Sequence, residues 1–412
     1  MIKVYINRGY VVAWCMLFFI LATSYGQTAD DYYDRGLKKA SIDNCEKAVE
    51  HFTKAIEESG GFFEVFFERG KCFLELGEPG KALYDFNEAI LINSDIAEVF
   101  FYRARAYSLT GMTSEAVVDY TEAVRLDSCH VKSYLGRATL KMQNGDKTSA
   151  LEDFTKVIEL GHKNSNVFFM RGKLYLSINE NELALKDLDK AIYLDPDHIE
   201  AYRERGVLYY YLDSCHNAVS DISIAINNGL DNPDLYLYRA DCYMKIGEYL
   251  KATEDYTVLI NNYRQRNEVR YFQRAMAYFK AEEYNSAVSD FTRVLTQNLH
   301  NEKAYIFRAL AYAEMDREVQ AENDFRAVLA INPGNALAYE KRGILNLNNK
   351  NFEQALEDLT KAINIDPTAE AYYHRGIVYV EKDDIPNALN DFREADKMGH
   401  KKASKELELY MD

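Results

Sequence analysis

The chain has 412 residues and a formal charge of −16. A field of that sign repels a phosphate backbone and excludes nucleic acid as the main partner. Length alone would argue for two or three domains, but a fixed internal period overrides it and predicts one elongated all-α solenoid.

In chain order, Met1 to Gly26 stands apart. Lys3 and Arg8 precede an apolar run from Tyr10 to Ala22, and the small residues Ser24 and Gly26 stand before Gln27. That is the three-part form of a secretory signal peptide. The run falls short of the roughly 20 residues that a membrane-spanning helix needs. The expectation is cleavage before Gln27, leaving an exported protein of the periplasm or cell envelope with no membrane span. The alternative is an uncleaved N-terminal anchor. Cys15 follows Trp14 rather than the small residue of a bacterial lipoprotein site, so lipid attachment there is not expected. Cleavage would remove two basic residues and no acid.

From residue 29 onward one unit repeats, seen clearly in Ala338–Pro367. An early helix carries Tyr339, Arg342, Gly343, Leu345 and Leu347. After the polar break Asn348–Asn351 a second run carries Phe352, Ala355, Leu356, Leu359, Ala362 and Ile363. Spacings of three and four place those residues on one helical stripe, and Asp366-Pro367 ends it. A small residue recurs at Gly36, Gly70, Ala104, Ala138, Gly172, Gly206, Ala240, Ala275, Ala309, Gly343 and Gly376. Its step is 34 residues, with one of 35 and one of 33. Four residues earlier there is always an aromatic, and twelve later always an alanine, from Ala48 to Ala388. A large residue follows four beyond that alanine, as at Phe52, Phe86, Tyr120, Phe154 and Phe392.

This pattern resembles the tetratricopeptide repeat family, whose period is about 34 residues. The resemblance covers residues 29–402 as eleven repeats, and residues 403–412 read as a C-terminal capping helix. It departs from the family in having Tyr or Phe where tryptophan is frequent, and in keeping the closing proline only at Pro196, Pro333 and Pro367. The resemblance implies a right-handed superhelical solenoid of helix-turn-helix units that serves as an interaction scaffold. The leader is similar to those of secreted or envelope proteins of Bacteroidota. A single unit cannot bury enough apolar surface to offset its ordering entropy, so neighbours must stack.

Two polar ladders run through the array. Arginine precedes every small residue, including Arg35, Arg69, Arg103, Arg205, Arg342 and Arg375. Aspartate stands three after the alanine in ten repeats, including Asp85, Asp119, Asp221 and Asp358, with His51 replacing it in the first. A charged binding groove is one reading. Strict repetition of both partners favours the other, a structural Arg–Asp pair that fixes helix register and adds little net stability.

Cys45 and Cys72 are 27 residues apart, as are Cys215 and Cys242, at the same two repeat positions. Export would permit two disulfides with Cys129 free, and small buried hydrophobes are the alternative. No metal, phosphate-loop or nucleophile motif is present, so neither a cofactor nor catalysis is expected. His130, His162, His198 and His300 fall in turns and read as solvated loop residues rather than metal ligands.

In the resembled family the first helices line the concave side. The corresponding positions here include Phe67, Lys71, Phe101, Arg105, Phe169, Lys173, Arg203, Tyr210, Met244, Phe272, Met276, Phe279, Ile306 and Leu310. The N-terminal half mixes aromatics with Lys and Arg, and the C-terminal half is apolar. An aromatic and apolar groove suits a peptide or partner-protein segment; packing inside the superhelix is the competing reading. The Lys and Asn arrangement with which relatives hold a peptide carboxylate is missing. Arg264, Arg266 and Arg270 surround the 35-residue step, as a bend or a local basic contact. The expected function is a non-catalytic scaffold, with an envelope carrier of an apolar or glycan ligand, or an accessory subunit of an enzyme or secretion assembly, as alternatives.

Overall fold

The computed structural model describes residues 28–411; the expected leader, Met1 to Gly26, lies outside them. The described residues form 23 helices and no strand. The chain divides into two compact units, the first ending at His198 and the second starting at Ile199. The unbroken sequence period gives no sign of this division.

The first unit holds five helix pairs. They are α1 (Ala29–Ala40) with α2 (Cys45–Ser59), α3 (Phe63–Glu75) with α4 (Pro79–Ile92), α5 (Ala97–Leu109) with α6 (Thr113–Leu126), α7 (Val131–Gln143) with α8 (Lys147–Glu159), and α9 (Ser165–Ser177) with α10 (Asn181–Leu194). The second unit holds six. They are α11 (Ile199–Tyr211) with α12 (Cys215–Asn227), α13 (Pro233–Ile246) with α14 (Tyr249–Asn261), α15 (Glu268–Lys280) with α16 (Tyr284–Gln297), α17 (Glu302–Ala313) with α18 (Glu318–Ile331), α19 (Ala336–Asn348) with α20 (Phe352–Ile365), and α21 (Ala369–Glu381) with α22 (Ile385–Lys397). A last helix, α23 (Lys401–Met411), follows. It begins two residues before the expected cap. Ala403 is fully buried on α22, Leu407 and Tyr410 pack beside it, and Lys401, Lys402 and Lys405 face water.

Each pair is held by small-to-large packing. In the first repeat Ala48, Phe52 and Ala55 have no exposed surface, and the ring of Phe52 lies against Gly36. The same triplet returns as Ala82, Phe86 and Ala89 and, later, as Ala388, Phe392 and Ala395. Phe86 fills the space over Gly70 so closely that a Cβ there would stand 2.7 Å from the ring. Interdigitation of this kind, not propensity, supplies most helical stability in short helices.

The turn inside every pair has one shared device. The residue seven after the small one adopts positive φ in all eleven repeats, from 55° at Asp43 to 83° at Gly145 and Gly247. Gly, Asn and Asp suit that left-handed cap; Glu282 and Lys350 occupy it against their preference. Asn164, Asn267, Asn301, Asn335 and Thr368 cap the starts of first helices by accepting from backbone N–H groups. The 35-residue step is absorbed between α14 and α15, where Arg264 has φ 56°. Arg270 is spent there on Gln265 at 2.7 Å and Gln273 at 2.6 Å.

Candidate interaction surface

The Arg and Asp ladders meet. In ten repeats the guanidinium donates from Nε and Nη2 to both oxygens of the aspartate sixteen residues later, at 2.6–2.9 Å. The carboxylates are almost completely buried and the arginines largely so. Two aromatics of the same first helix flank the guanidinium, as Tyr271 and Tyr278 do for Arg274 at 5.9 and 5.8 Å. In two repeats the second aromatic is replaced by Lys141 or Asn346, and each of these bonds the aspartate instead, at 3.0 and 3.4 Å. The hydrogen bonds it donates to Asp187 hold Arg171 above its ordinary range against the opposing pull of burial; those to Asp358 and Asp391 do the same for Arg342 and Arg375.

The third nitrogen reaches the preceding repeat. Nη1 donates to Thr53, Asn87, Thr121, Thr155, Ser223, Thr257, Thr292 and Thr360, at 2.8–3.3 Å, from Arg69, Arg103, Arg137, Arg171, Arg239, Arg274, Arg308 and Arg375. Where Arg326 holds that position, Glu322 stands 3.8 Å from Arg342 Nη1 instead. One arginine therefore joins the two helices of its own repeat and ties them to the one before. The sequence signal was there: a hydroxyl or amide five residues after most of the repeat alanines.

A second polar column lies at the entry to the first helices. His130 Nε2 is 2.6 Å from Glu98, and His400 Nε2 is 3.2 Å from Glu370. Asn301 and Asn335 donate to Glu268 and Glu302, each at 2.6 Å, and Thr368 donates to Glu340. His130 and His198 are therefore not solvated loop residues as their turn positions implied. They pack on Phe101 and Phe169, with ring centroids 5.3 and 4.6 Å apart. His162 and His300 are exposed as expected. Ser133, His130 and Glu98 form a linear relay that resembles a hydrolytic triad, but Ser133 is fully buried and its backbone N–H caps onto His130 Nδ1. No substrate can meet that hydroxyl. Ser165 contacts His198 but is also bonded to the Ala191 carbonyl at 2.9 Å. Among the described residues, no group of His, Cys, Asp or Glu is arranged to hold a metal ion, and no helix is long and apolar enough to cross a membrane.

First helices of most neighbouring repeats touch one another within each unit, so each unit presents a face built from their free sides. The sequence-derived groove residues occupy it unevenly. Phe101, Phe169 and Ile306 are buried. Phe67 packs edge-on to Tyr102 at 5.5 Å, and Phe272 and Phe279 close on Phe307 at 6.4 and 5.7 Å. These aromatics spend most of their surface on joining repeats. The cations lie over them: Lys71 over Phe67 and Tyr102, Arg105 over Phe101 and Tyr102, Lys173 over Phe169, all at 5.2–5.9 Å. Burial tends to lower Lys71, but the Glu68 carboxylate at 2.9 Å holds it above its ordinary range. Arg203 pairs with Glu204 at 2.5 Å. In the second unit Asp241 accepts from Tyr256 at 2.8 Å and Tyr210 at 3.4 Å, and Tyr210 packs on Tyr238 at 4.5 Å. Met244, Met276 and Leu310 are half-buried.

Between α1, α2 and α3 the surface opens into a cavity of about 610 Å³. Leu37, Cys45, Glu68, Lys71, Cys72 and Tyr102 are among the residues that line it. The five cysteines of the described residues are free thiols. The expected partners are nonetheless neighbours: Cys72 contacts Cys45, and Cys242 contacts Cys215.

Sequence comparison matches four stretches to repeat families. Residues 172–213 match the family described as TPR repeat, and residues 234–265, 272–336 and 319–370 match those described as tetratricopeptide repeat. No curated protein matches the chain. Among solved structures it is similar to a tetratricopeptide repeat protein from Parabacteroides merdae, with 19% identity over 60% of this chain and 98% of that one and a TM-score of 0.41. Yeast Tom70 is 15% identical over 92% of this chain and 95% of its own, with a TM-score of 0.39. MamA from Desulfovibrio magneticus is 22% identical over 41% and 95%, with a TM-score of 0.37.

Proposed function

We propose that this tandem tetratricopeptide-like chain is a non-catalytic scaffold. It holds an extended or helical segment of a partner protein along the face of its first helices, outside the cytoplasm in the periplasm or cell envelope. One observation carries the reading. The residue directly after each small one is Leu37, Lys71, Arg105, Thr139 and Lys173 in the first unit, then Val207, Asp241, Met276, Leu310, Ile344 and Ile377 in the second. The arginine before the small residue and the alanine twelve after it do not change at all. A column required only for packing keeps one chemistry, whereas a column that reads a ligand varies along it. In the first unit three of its five members, Lys71, Arg105 and Lys173, are cations seated on aromatic faces, and in the second unit the column is apolar apart from Asp241.

The test is affinity capture from the envelope of the source cell, with the wild type beside a Lys71→Glu, Arg105→Glu, Lys173→Glu variant. These side chains belong to neither the Arg–Asp pairs nor the alanine-aromatic core, so the variant keeps its helix content. Loss of one set of captured proteins supports the scaffold and its face. An unchanged set overturns the assignment of that face. N-terminal sequencing of the mature protein tests export, with Gln27 as the expected first residue. A carrier of a small apolar or glycan ligand has the cavity beside Leu37 and Tyr102 in its favour, and predicts a co-purifying small molecule and no captured protein.

A further inference from the structure

The four cysteines of the two pairs stand in equivalent places. Cys45 and Cys215 are the first residues of α2 and α12, and Cys72 and Cys242 lie in the facing α3 and α13. Each pair therefore joins the second helix of one repeat to the first helix of the next. Cys45 and Cys72 line one cavity, Cys215 and Cys242 share one core cluster, and within each pair the two thiols interact.

Access separates the pairs. Cys45 is partly exposed, and both Cys45 and Cys72 line the open cavity between α1, α2 and α3. Cys215 and Cys242 are both buried inside the core of the second unit. Cys129 is exposed. The protein thiolate must line up with the S–S axis of the disulfide it attacks, so a cavity wall is a competent position and a buried core is not.

We propose that Cys45 and Cys72 form a redox-active dithiol which small disulfides of the glutathione class address through this cavity, while Cys215 and Cys242 are a sequestered counterpart that reacts only when the second unit opens. The Cys45 thiolate attacks one sulfur of the reagent and expels the other half as a thiolate, leaving a mixed disulfide. Cys72 then attacks the Cys45 sulfur, expels the second half and closes the Cys45–Cys72 bond. Two protein thiols and one small disulfide become one protein disulfide and two small thiols. The order of attack follows from the environment. Burial first, and then the contact with Cys45, push the Cys72 thiol up to about 12. The part owed to Cys45 disappears once Cys45 carries the reagent, and the nearby Lys71 ammonium favours the Cys72 thiolate throughout.

The experiment treats the native protein with oxidised glutathione, quenches samples over time with N-ethylmaleimide and maps the digested peptides by mass. The expected result is a Cys45–Cys72 linked peptide lighter by two hydrogens, forming roughly tenfold or more faster than any Cys215–Cys242 link. Cys129 accumulates a stable glutathione adduct. In Cys72→Ser, Cys45 stalls as the glutathione adduct while Cys129 is unaffected. The proposal is overturned if Cys45 reacts no faster than Cys215. It is also overturned if Cys45 stays open to maleimide while Cys129 is fully converted, or if Cys45 links to a cysteine other than Cys72. The wild-type time course decides these outcomes even if the serine variant does not fold.

Discussion

The sharpest test of the Arg–Asp ladder is a cycle at Arg274 and Asp290. Asp290 is 2% exposed and accepts from Arg274 at 2.6 and 2.9 Å; Arg274 also donates to Thr257 at 2.9 Å and lies between Tyr271 and Tyr278. Asp290→Leu leaves a buried guanidinium with one neutral partner, and should cost about 3–5 kcal/mol. Arg274→Met leaves a buried carboxylate and should cost a similar amount. The double variant strands no charge. It loses the Thr257 bond, worth about 1 kcal/mol, and the aromatic contacts, worth about 0.5–2 kcal/mol. It should therefore be more stable than either single variant. Urea melts followed by circular dichroism give the ranking, and hydrogen exchange over residues 268–297 shows where protection is lost. A double variant less stable than both singles would refute the view that the ladder sets register without adding much net stability. Arginine and aspartate would then persist for energy, not alignment.

Other consequences can be measured on the same footing. Gly206→Ala places a Cβ 2.9 Å from Ile222, 3.0 Å from Asp221 and 3.1 Å from backbone nitrogen, and should destabilise the second unit by about 1–3 kcal/mol. Gly172→Ala meets nothing closer than 3.3 Å, and its helix propensity should make it neutral or better by up to about 1 kcal/mol; thermal melts should show Gly206→Ala lowered and Gly172→Ala at or above the wild type. Glu282→Gly relieves a left-handed cap and should stabilise by about 0.5–1 kcal/mol, read as a higher urea midpoint. The last repeat should loosen in acid. Burial lowers His374 below its usual 6.5 despite the opposing Glu370, and Glu370 is itself lowered because hydrogen bonds from His374 and His400 outweigh burial. Both folded values are depressed, so the unfolded chain binds more protons there. Their stabilisation is complete above 6.5, declines as pH falls below it through His374, and falls again below 4.5 through Glu370. Hydrogen-exchange protection of residues 369–411, taken relative to the intrinsic rate at each pH, should fall over that range, and His374→Phe should remove the upper step.

Much of this molecule was legible because its period makes eleven copies of each packing decision. A lone arginine before a glycine says nothing, but eleven of them, ten matched by an aspartate, favour a structural Arg–Asp pair over a charged groove. What stayed hidden follows from how the signals sum. The oxygen that accepts from the third guanidinium nitrogen belongs to Thr, Ser or Asn, and Asp189 and Arg326 stand at the same position, so identity was diluted although the hydrogen bond recurs. The left-handed cap was masked similarly, since Glu282 and Lys350 satisfy its geometry without its chemistry. A turn position implies exposure, and at His130 and His198 it does not bring it. A residue that starts a helix at a repeat junction is covered by the neighbouring first helix, and only tertiary packing reveals that cover.

The face of the first helices shows why an interaction surface is harder to read than a core. Phe272 and Phe279 had the composition of a peptide groove, yet both are committed to Phe307 and to the junction between two repeats. Changing them to polar residues would open that junction, and a lost partner would then report unfolding rather than a lost contact. In a solenoid the same first helix must bind its neighbours and any ligand, and the larger apolar side chains are taken by the neighbours first. What is left for a ligand is the column beside them, where Lys71, Arg105 and Lys173 rest on aromatic faces already fixed by packing. Specificity placed there can change without loss of the fold, because none of those ammonium or guanidinium groups takes part in an Arg–Asp pair. That separation of duties makes the charge-reversal variant the informative one.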